Sequence, residues 1–487
     1  MSFTSLQFLF FLPVVFAIYW TLQRHLRWQN LLLVVASYVF YGWWDARFLL
    51  LIALTTGASY LSGLLIEHFE GDGRRRLVAA ANIVLNLGIL ALFKYYNFFA
   101  DSLSELLRTV GLHADLPTLR LILPIGISFY TFQALSYTID VLRRQLPATR
   151  DAVAFFAYIA FFPQLVAGPI ERATHLLPQM LQPRHFSDRH AVDGLRQMLW
   201  GFFKKMVVAD SCALAVDIIW QSPSEQSALV LALGALLFTV QIYGDFSGYS
   251  DIAVGCARLF GIDLMQNFRT PYFATSIADF WRRWHISLMT WLRDYVYIPL
   301  GGNRCSPLRQ YANTLTTFLL SGLWHGAAWT FVCWGLYHGV LVCVEKGLRN
   351  LRPRSSGRNS HFSLFTLSLL TFLLVNIGWL LFRAPDLAAF AAYCRGLCDL
   401  SSLFAFGTLT MGKQAVLWSI ALFAVEWLQR SRPHALDFSQ SCGRHYGSLH
   451  PFNLLRHRPV RWAVYYALIL ILLFCHADQH TFIYFQF

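Results

Sequence analysis

The chain has 487 residues, of which 56% are hydrophobic and only 13% are charged. A soluble domain carries about 25% charged residues, so this composition excludes an ordinary soluble globular protein. The net charge of +13 suggests nucleic acid as a partner, but the Lys and Arg residues lie in short segments between apolar runs and form no basic domain. We therefore expect a polytopic membrane protein that binds no nucleic acid, with its positive charge acting as an orientation signal.

Apolar runs suitable for crossing a bilayer begin at the N-terminus. They lie near residues 6–23, 29–46, 48–66, 77–98 and 121–141. The first run is longer than the apolar part of a signal peptide and lacks a small-residue cleavage site. We therefore expect it to be retained as the first membrane span.

The basic residues predict a single orientation of the chain. If the clusters at 24–27 and 74–76 are cytoplasmic, the N-terminus and the acidic segment 99–116 lie outside. The Arg-rich segment 349–354 then also faces the cytoplasm. The last apolar run, 462–474, leaves the cytoplasmic side, so the C-terminus is expected outside as well.

Pro and Gly interrupt the apolar pattern in the middle of the chain, for example at 161–163 and 298–302. Non-helical backbone at membrane depth is tolerated only where it is buried in protein or lines a wet cavity. We therefore expect one integral membrane domain, 1–487, in which re-entrant or tilted half-helices enclose a polar chamber. Its parts are a core at about 120–345, peripheral helices at 1–119 and 346–475, and a tail at 476–487. Loops are predicted near 99–116, 172–190, 350–361, 384–411 and 430–461.

Two histidines stand out within otherwise apolar segments. His285 follows Trp284, and His325 lies between Trp324 and Gly326. An ionisable side chain at membrane depth costs about 2.5–3.5 kcal/mol on insertion scales, which makes each histidine a functional-site candidate. Neutral imidazole is also the natural general base near neutral pH. The alternative for each residue is a hydrogen-bonded interior histidine.

Spacing limits the partners that these histidines can have. His285 and Asp294 are nine residues apart, about 2.5 helical turns, so a continuous helix would point them to opposite faces. On one helix, His338 would face about 220° away from His325. No H-E-x-x-H or C-x-x-C spacing occurs in the sequence, so we predict no metal site.

Four basic residues near the expected cytoplasmic mouths are candidates for binding the phosphates of an anionic ligand. They are Lys204, Lys205, Arg282 and Arg283. Orientation charge explains them equally well, so both interpretations stay open. The block 244–251 contains no G-x-S-x-G elbow, and we expect its two aspartates, Asp245 and Asp251, to face the polar chamber.

Several sequence blocks resemble one known family. They are Pro124–Tyr130, Phe162–Ile170, Gln241–Asp251, Phe280–Arg304 and Ser321–Phe331. These blocks look like the bacterial polysaccharide branch of the membrane-bound O-acyltransferases, which includes the alginate, peptidoglycan and cellulose acetylation proteins. They are also similar to the D-alanyl exporter of teichoic acid modification. The resemblance spans nearly all of the chain.

The resemblance implies a fold, a reaction and the residues that perform it. The implied fold is an all-α polytopic membrane protein, with a ring of roughly 11–13 transmembrane and re-entrant helices around a central funnel. His325 is implied as the catalytic base, with His285 in the same pore. A cytoplasmic thioester, acetyl-CoA, is the implied acyl donor, and no tightly bound cofactor is expected. The implied final acceptor is a cell-envelope or exported polysaccharide, peptidoglycan or alginate-like, outside the bacterial inner membrane, with both termini of the chain periplasmic.

The sequence shows no soluble transferase domain, so we expect a separate periplasmic SGNH-type O-acetyltransferase as a partner. Membrane lipid is the other expected partner. The segment Phe482–Phe487 resembles the tyrosine-bearing tails of such acylation systems. If so, Tyr484 accepts the acyl group as a phenolic ester; the alternative is an interfacial aromatic anchor. Two other functions stay open. One is a direct lipid or protein O-acyltransferase of the same family, and the other is a polytopic transporter, although no two-fold hydropathy repeat is visible.

Overall fold

The computed structural model describes residues 1–112, 117–119, 121–166, 168–351, 361–399, 401, 412–438, 457–477 and 480–483. Across these residues the protein is 76% helical and has no β-strand. The α-helices are α1 Leu6–Thr21, α2 Leu26–Gly42, α3 Leu49–His68, α4 Asp72–Leu90, α5 Tyr96–Thr109, α6 Ile127–Leu142, α7 Ala152–Ala160, α8 Phe162–Leu165, α9 Ala173–Leu181, α10 Asp188–Phe202, α11 Asp210–Gln221, α12 Ala228–Leu259, α13 Ile277–Trp281, α14 Ile286–Leu292, α15 Pro307–His325, α16 Trp329–Leu351, α17 His361–Arg383, α18 Leu387–Cys398, α19 Lys413–Gln429 and α20 Arg458–Phe474.

Helix length and composition agree with a membrane protein. In the described part of the chain, five helical segments are long and apolar enough to cross a bilayer: Ala46–His68, Asp72–Thr109, Ala228–Leu259, Trp329–Asn350 and Phe362–Arg383. Leu6–Thr21 and Leu387–Cys398 are shorter apolar helices. A helix satisfies its own backbone hydrogen bonds, which is the condition for crossing hydrocarbon. The predicted all-α polytopic class is therefore confirmed.

The chain folds into two compact units. The first comprises residues 1–191, 256–265 and 326–328, and the second comprises 192–255, 266–325 and 329–487. Within the first unit, α6 packs against α3, α4 and α9. Polar side chains join these helices, because Asn82 on α4 donates a hydrogen bond of 2.7 Å to Thr138 on α6. The predicted division into a core and peripheral helices is not tested by this partition and stays a prediction.

Three of the predicted loops contain helices, so the sequence-based prediction was wrong there. Helix α5 continues to Thr109, α9 lies within 172–190, and α18 lies within 384–411. Helix α18 shows why a short segment forms a helix: Asp386 caps it by accepting a 2.7 Å hydrogen bond from the Ala389 N–H. A cap satisfies one of the N–H groups that have no partner inside a helix. The hydropathy pattern alone does not show this contribution.

The predicted interruptions by Pro and Gly are confirmed. Phe161 separates α7 from the four-residue α8, and short helices α13 and α14 replace one continuous helix. Beyond α14, Gly301 and Gly302 have φ angles of 116° and 52°. Only glycine adopts such angles without strain, so these residues turn the chain away from the helical path. The break between α13 and α14 and the turn at Gly301 and Gly302 lie in the unit that contains both candidate histidines.

Among the described residues, three helical runs contain a π segment, in which each backbone N–H bonds to a carbonyl one residue further back than in an α-helix. They are Ala91–Tyr95, Phe203–Ala209 and Arg293–Tyr297. Such π segments are rare in proteins overall, and those that occur are often found at functional sites. The second of them contains Lys204 and Lys205, two of the candidate residues named above.

Candidate active site

His285 occupies a break between two short helices. It is the residue directly before α14, and its backbone is left-handed, with φ 45° and ψ 52°. A non-glycine residue rarely adopts this conformation, and it persists only when the surrounding structure imposes it. Asn267 provides part of that restraint: its carbonyl accepts from the Ile286 N–H at 3.0 Å, and its side chain accepts from the Ser287 hydroxyl at 2.6 Å.

The break corrects one expectation about the segment that follows His285. His285 does not lie on the helical run that carries Asp294, because that run begins at Ile286 and passes through α14 into the π segment Arg293–Tyr297. Asp294 pairs instead with its neighbour Arg293, at 2.7 Å. The face-counting argument therefore does not apply, because it assumed a regular α-helix from His285 to Asp294.

His325 is the last residue of α15, and close packing against α16 holds that helix. A side-chain carbon added at Gly322 would collide with the main-chain oxygen of Phe331, and one added at Gly335 would collide with that of Phe318. Small residues at such contacts let two helix backbones approach each other. The close contact with α16 therefore fixes the helix whose last residue is His325.

This packing makes Gly322 sensitive to substitution. We expect Gly322→Ala to lower the stability of the protein by about 1–3 kcal/mol, the range for overpacking, because the opposing atom belongs to the backbone and has no rotamer to change. Activity should fall as well, since α15 carries His325. The midpoint of thermal unfolding in detergent, measured together with acyl transfer, tests this.

Gly88 provides a matched control on α4. A side-chain carbon there meets nothing within 4 Å, so Gly88→Ala should be neutral or slightly stabilising. Equal unfolding midpoints for the two variants would contradict the close packing described at Gly322.

The structure brings His285 and His325 together. Their ring centroids are 6.3 Å apart, although the residues are separated by 40 positions in the sequence. His285 is fully buried and His325 is only 5% exposed. Neither ring nitrogen of His285 has a hydrogen-bond partner among the described residues. Because buried polar groups normally have partners, this one requires an explanation.

Aromatic rings surround the two histidines. The Phe246 ring meets the His285 ring edge-on, with 4.7 Å between their centroids. The centroids of the Trp334 and Phe382 rings lie 5.0 and 5.4 Å from that of His325. Trp334 and Trp379 stack at 5.9 Å and are fully buried. An apolar surrounding of this kind keeps water out and strengthens the electrostatic interactions inside it.

His338 lies near this pair but has different neighbours. Its ring contacts Trp281 at 5.0 Å and Trp334 at 5.1 Å, and its Nε2 atom lies close to Gly378. His325 also contacts Trp334, so both histidines touch the same indole ring. This makes His338 a useful reference residue of the same type and burial.

The predicted basic residues divide into two groups. Lys204 and Lys205 are buried, with Lys204 2.6 Å from Asp251 and Lys205 2.7 Å from Asp210 and 2.8 Å from Asp245. Three carboxylates thus neutralise two ammonium groups, and the two aspartates that were expected to face a chamber are engaged with lysines. Binding of donor phosphates by these lysines stays a prediction.

Arg282 and Arg283 are the more accessible members of the set. The Arg282 side chain is 71% exposed and lies 4.0 Å from Asp279, while that of Arg283 is 32% exposed and pairs with the same carboxylate at 2.9 Å. Both belong to the turn that leads from α13 to His285. The exposed guanidinium of Arg282 is therefore open to an anionic ligand. Tyr484, the last of the predicted site residues, lies outside the described residues.

Sequence reasoning missed several residues of this site. Asn267 and Phe246 hold or touch His285, and Trp379 belongs to the aromatic surrounding. Trp379 lies in an apolar helix, where an inward-facing aromatic residue has the same sequence signature as a lipid-facing one. No pattern in the sequence distinguishes these roles.

A sequence model described as "MBOAT, membrane-bound O-acyltransferase family" matches residues 83–370, a range that includes His285 and His325. The chain belongs to this family. The predicted resemblance is confirmed, and the protein is a multi-pass membrane O-acyltransferase.

Similar proteins come from several bacteria. The "Probable alginate O-acetylase AlgI" of Pseudomonas aeruginosa is 44% identical over 418 residues, which cover 84% of this chain and 76% of that protein. The peptidoglycan O-acetyltransferase of Helicobacter pylori is 34% identical over 424 residues, covering 81% and 79%. The teichoic acid D-alanyltransferase of Bacillus subtilis is 30% identical over 245 residues, covering 46% and 60%.

Proposed function

We propose that this membrane-bound O-acyltransferase moves acetyl groups from cytoplasmic acetyl-CoA across the inner membrane for O-acetylation of a cell-envelope or exported polysaccharide. The observation that carries the proposal is the buried pair of His285 and His325 inside an aromatic surrounding. The names of the alginate and peptidoglycan relatives support the choice of polymer. Acetyl-CoA is the proposed donor because acetyl transfer to a hydroxyl requires an activated acyl group.

His325 acts as the general base in the proposed reaction. The imidazole takes the proton of an attacking hydroxyl while the hydroxyl oxygen forms a bond to the thioester carbonyl carbon. The bond between that carbon and sulfur then breaks, and the proton passes from the imidazolium to the leaving thiolate of CoA. His285 orients the acyl group from the other side, and this role gives its ring nitrogens a partner. The aromatic surrounding keeps out water, which would otherwise hydrolyse the ester.

Arg282 and Arg283 bind the phosphates of CoA in this proposal. Guanidinium groups bind phosphate through paired N–H donors, and both residues lie within three positions of His285. The first acyl acceptor is the phenol of Tyr484. A separate periplasmic SGNH-type transferase then moves the acetyl group from the resulting phenolic ester to the sugar hydroxyl.

Deletion of the gene tests the proposed function. The O-acetyl content of the exported polysaccharide or of peptidoglycan should fall to background, while the acylation of membrane lipids and secreted proteins stays unchanged. Complementation with the wild-type gene should restore the polymer, and complementation with His325→Ala should not. Loss of lipid or protein acylation with an unchanged polymer would instead indicate a direct acyltransferase. Unchanged acylation of all three classes would favour transport of another molecule.

The proposed direction of transfer depends on the orientation of the chain in the membrane. A cysteine at Gly357 should react with a membrane-impermeant maleimide only after the cells are opened, whereas one at Ser402 should react on intact cells. Both positions lie outside the described residues, and the expectation follows from the positive-inside rule. A parent depleted of native cysteines is the control for background labelling. The reverse labelling pattern would place the donor on the wrong side and contradict the proposal.

A further inference from the structure

The described residues nearest to Tyr484 are docked into the second unit. Phe482 and Ile483 are 1% and 2% exposed. The Phe482 ring lies 4.3 Å from Tyr249 and 6.0 Å from Phe246. Phe246 is the residue that contacts His285 at 4.7 Å. The segment His480–Ile483 therefore ends one aromatic ring away from the candidate active site.

Two buried charged side chains hold this segment by its main chain. The Lys205 ammonium donates a 3.0 Å hydrogen bond to the His480 carbonyl, and the Ile483 N–H donates a 2.7 Å hydrogen bond to Asp245 Oδ2. Just before the segment, the Ala477 N–H donates to the Met206 carbonyl at 3.3 Å. These contacts engage the backbone, so they fix the position of the segment along its path.

The two charged residues come from different helical runs. Lys205 lies in the π segment Phe203–Ala209, and Asp245 lies in α12. Their 2.8 Å ion pair joins the two runs, and Asp210 completes the cluster at 2.7 Å from Lys205. A buried ion pair adds little net stability by itself, because the loss of hydration offsets the attraction. The contacts to the tail indicate a purpose other than stability.

We propose that Lys205 and Asp245 are positioning residues: they form a clasp that holds the segment His480–Ile483 beside the His285 layer, so that the next residue, Tyr484, is presented for acylation. The clasp rests on the proposed function for the role of Tyr484, but its existence is measurable without any acyl transfer. The clasp gives Asp245 a role in the reaction, and it gives Lys205 a role other than phosphate binding.

Hydrogen exchange of the full-length protein in detergent, followed by mass spectrometry of the C-terminal peptide, tests the clasp directly. The N–H of Ile483 should be protected in the wild type. Asp245→Ala removes a hydrogen bond to a charged group, which corresponds to about a ten- to hundredfold change in an equilibrium, and exchange should accelerate by a similar factor. Unchanged exchange in this variant would overturn the clasp.

A substitution in the tail avoids dependence on the folding of the buried cluster. Ile483→Pro removes the N–H donor and leaves Lys205 and Asp245 intact, whereas Ile483→Val keeps the donor and most of the side-chain volume. We expect polysaccharide acetylation to fall about ten- to hundredfold in the proline variant and by less than about twofold in the valine variant. Equal hydrogen exchange of the C-terminal peptide in the two variants would overturn the clasp.

A double-mutant cycle and one further variant separate the clasp from the proposed function. Asp245→Ala combined with Ile483→Pro should accelerate exchange of the C-terminal peptide no more than the worse single variant does, because both substitutions remove the same hydrogen bond. Additive effects of the two substitutions on exchange would overturn the clasp. Tyr484→Phe should keep the C-terminal peptide protected. If that variant still acetylates the polymer while its tail stays protected, the acyl relay fails and the clasp stands.

Discussion

Replacing His325 with alanine is expected to lower acyl transfer by about 10²–10⁴-fold, the range for loss of a general base. The side chain sits at the end of α15 and contacts the Trp334 and Phe382 rings. No other group takes the place of His325 in the proposed reaction, since His285 orients the acyl group and its ring centroid lies 6.3 Å from that of His325. Release of free CoA from acetyl-CoA by the purified protein, followed with a thiol-reactive dye, measures the effect.

His338→Ala is the matched control for this prediction. The two histidines are similarly buried and contact the same indole ring, so their loss leaves comparable cavities. We expect similar decreases in the midpoint of thermal unfolding for both variants, and a large loss of turnover only for His325→Ala. His285→Ala should lower turnover by an equal or smaller factor than His325→Ala. Near wild-type turnover in His325→Ala would contradict its assignment as the base.

The second large effect concerns the acyl acceptor. Tyr484→Phe is expected to leave the polysaccharide without O-acetyl groups while the protein still binds acetyl-CoA normally. The substitution removes one hydroxyl oxygen, which is the proposed nucleophile, and keeps the aromatic ring that an interfacial anchor would need. Polymer O-acetyl content in the complemented deletion strain and donor affinity of the purified variant give the two measurements.

Tyr466→Phe controls for the loss of a tyrosine hydroxyl near the C-terminus. Tyr466 lies on α20 and is 59% exposed, so its hydroxyl takes no part in the proposed reaction, and the variant should acetylate the polymer normally. Full acetylation by Tyr484→Phe would show that the tail is an anchor and that another hydroxyl receives the acetyl group first.

These two predictions concern the same transfer step of the proposed reaction. His325 takes the proton and the phenol of Tyr484 attacks the thioester, so either substitution should stop acetylation of the polymer. The docked segment His480–Ile483 connects the two groups, because its Phe482 ring lies beside Phe246, which in turn touches His285. A variant of the clasp should therefore behave like Tyr484→Phe in polymer acetylation and unlike it in exchange of the C-terminal peptide.

Much of the candidate site was visible in the sequence. His285 and His325 were identifiable because an ionisable residue is rare in an apolar run, and the blocks around them carry the family resemblance. The geometric argument was wrong where it assumed regular structure: it placed His285 and Asp294 on one regular helix, but His285 adopts a left-handed conformation and the helix starts after it. Backbone conformation at a single residue depends on its tertiary contacts, here those made by Asn267, and a periodicity argument cannot include them.

The sequence alone determined the class of the protein, because hydropathy and charge sum over many residues and do not depend on how those residues pack. It also determined the family, since that depends on the order of residues in long blocks. Only the tertiary structure decided which charges face one another. In the sequence, Lys205 is a basic residue without an identifiable partner. In the fold, Asp210 and Asp245 neutralise it, and it donates a hydrogen bond to the carbonyl of His480, which lies 275 residues further along the chain. Contacts over such separations are made by folding, so no local pattern records them.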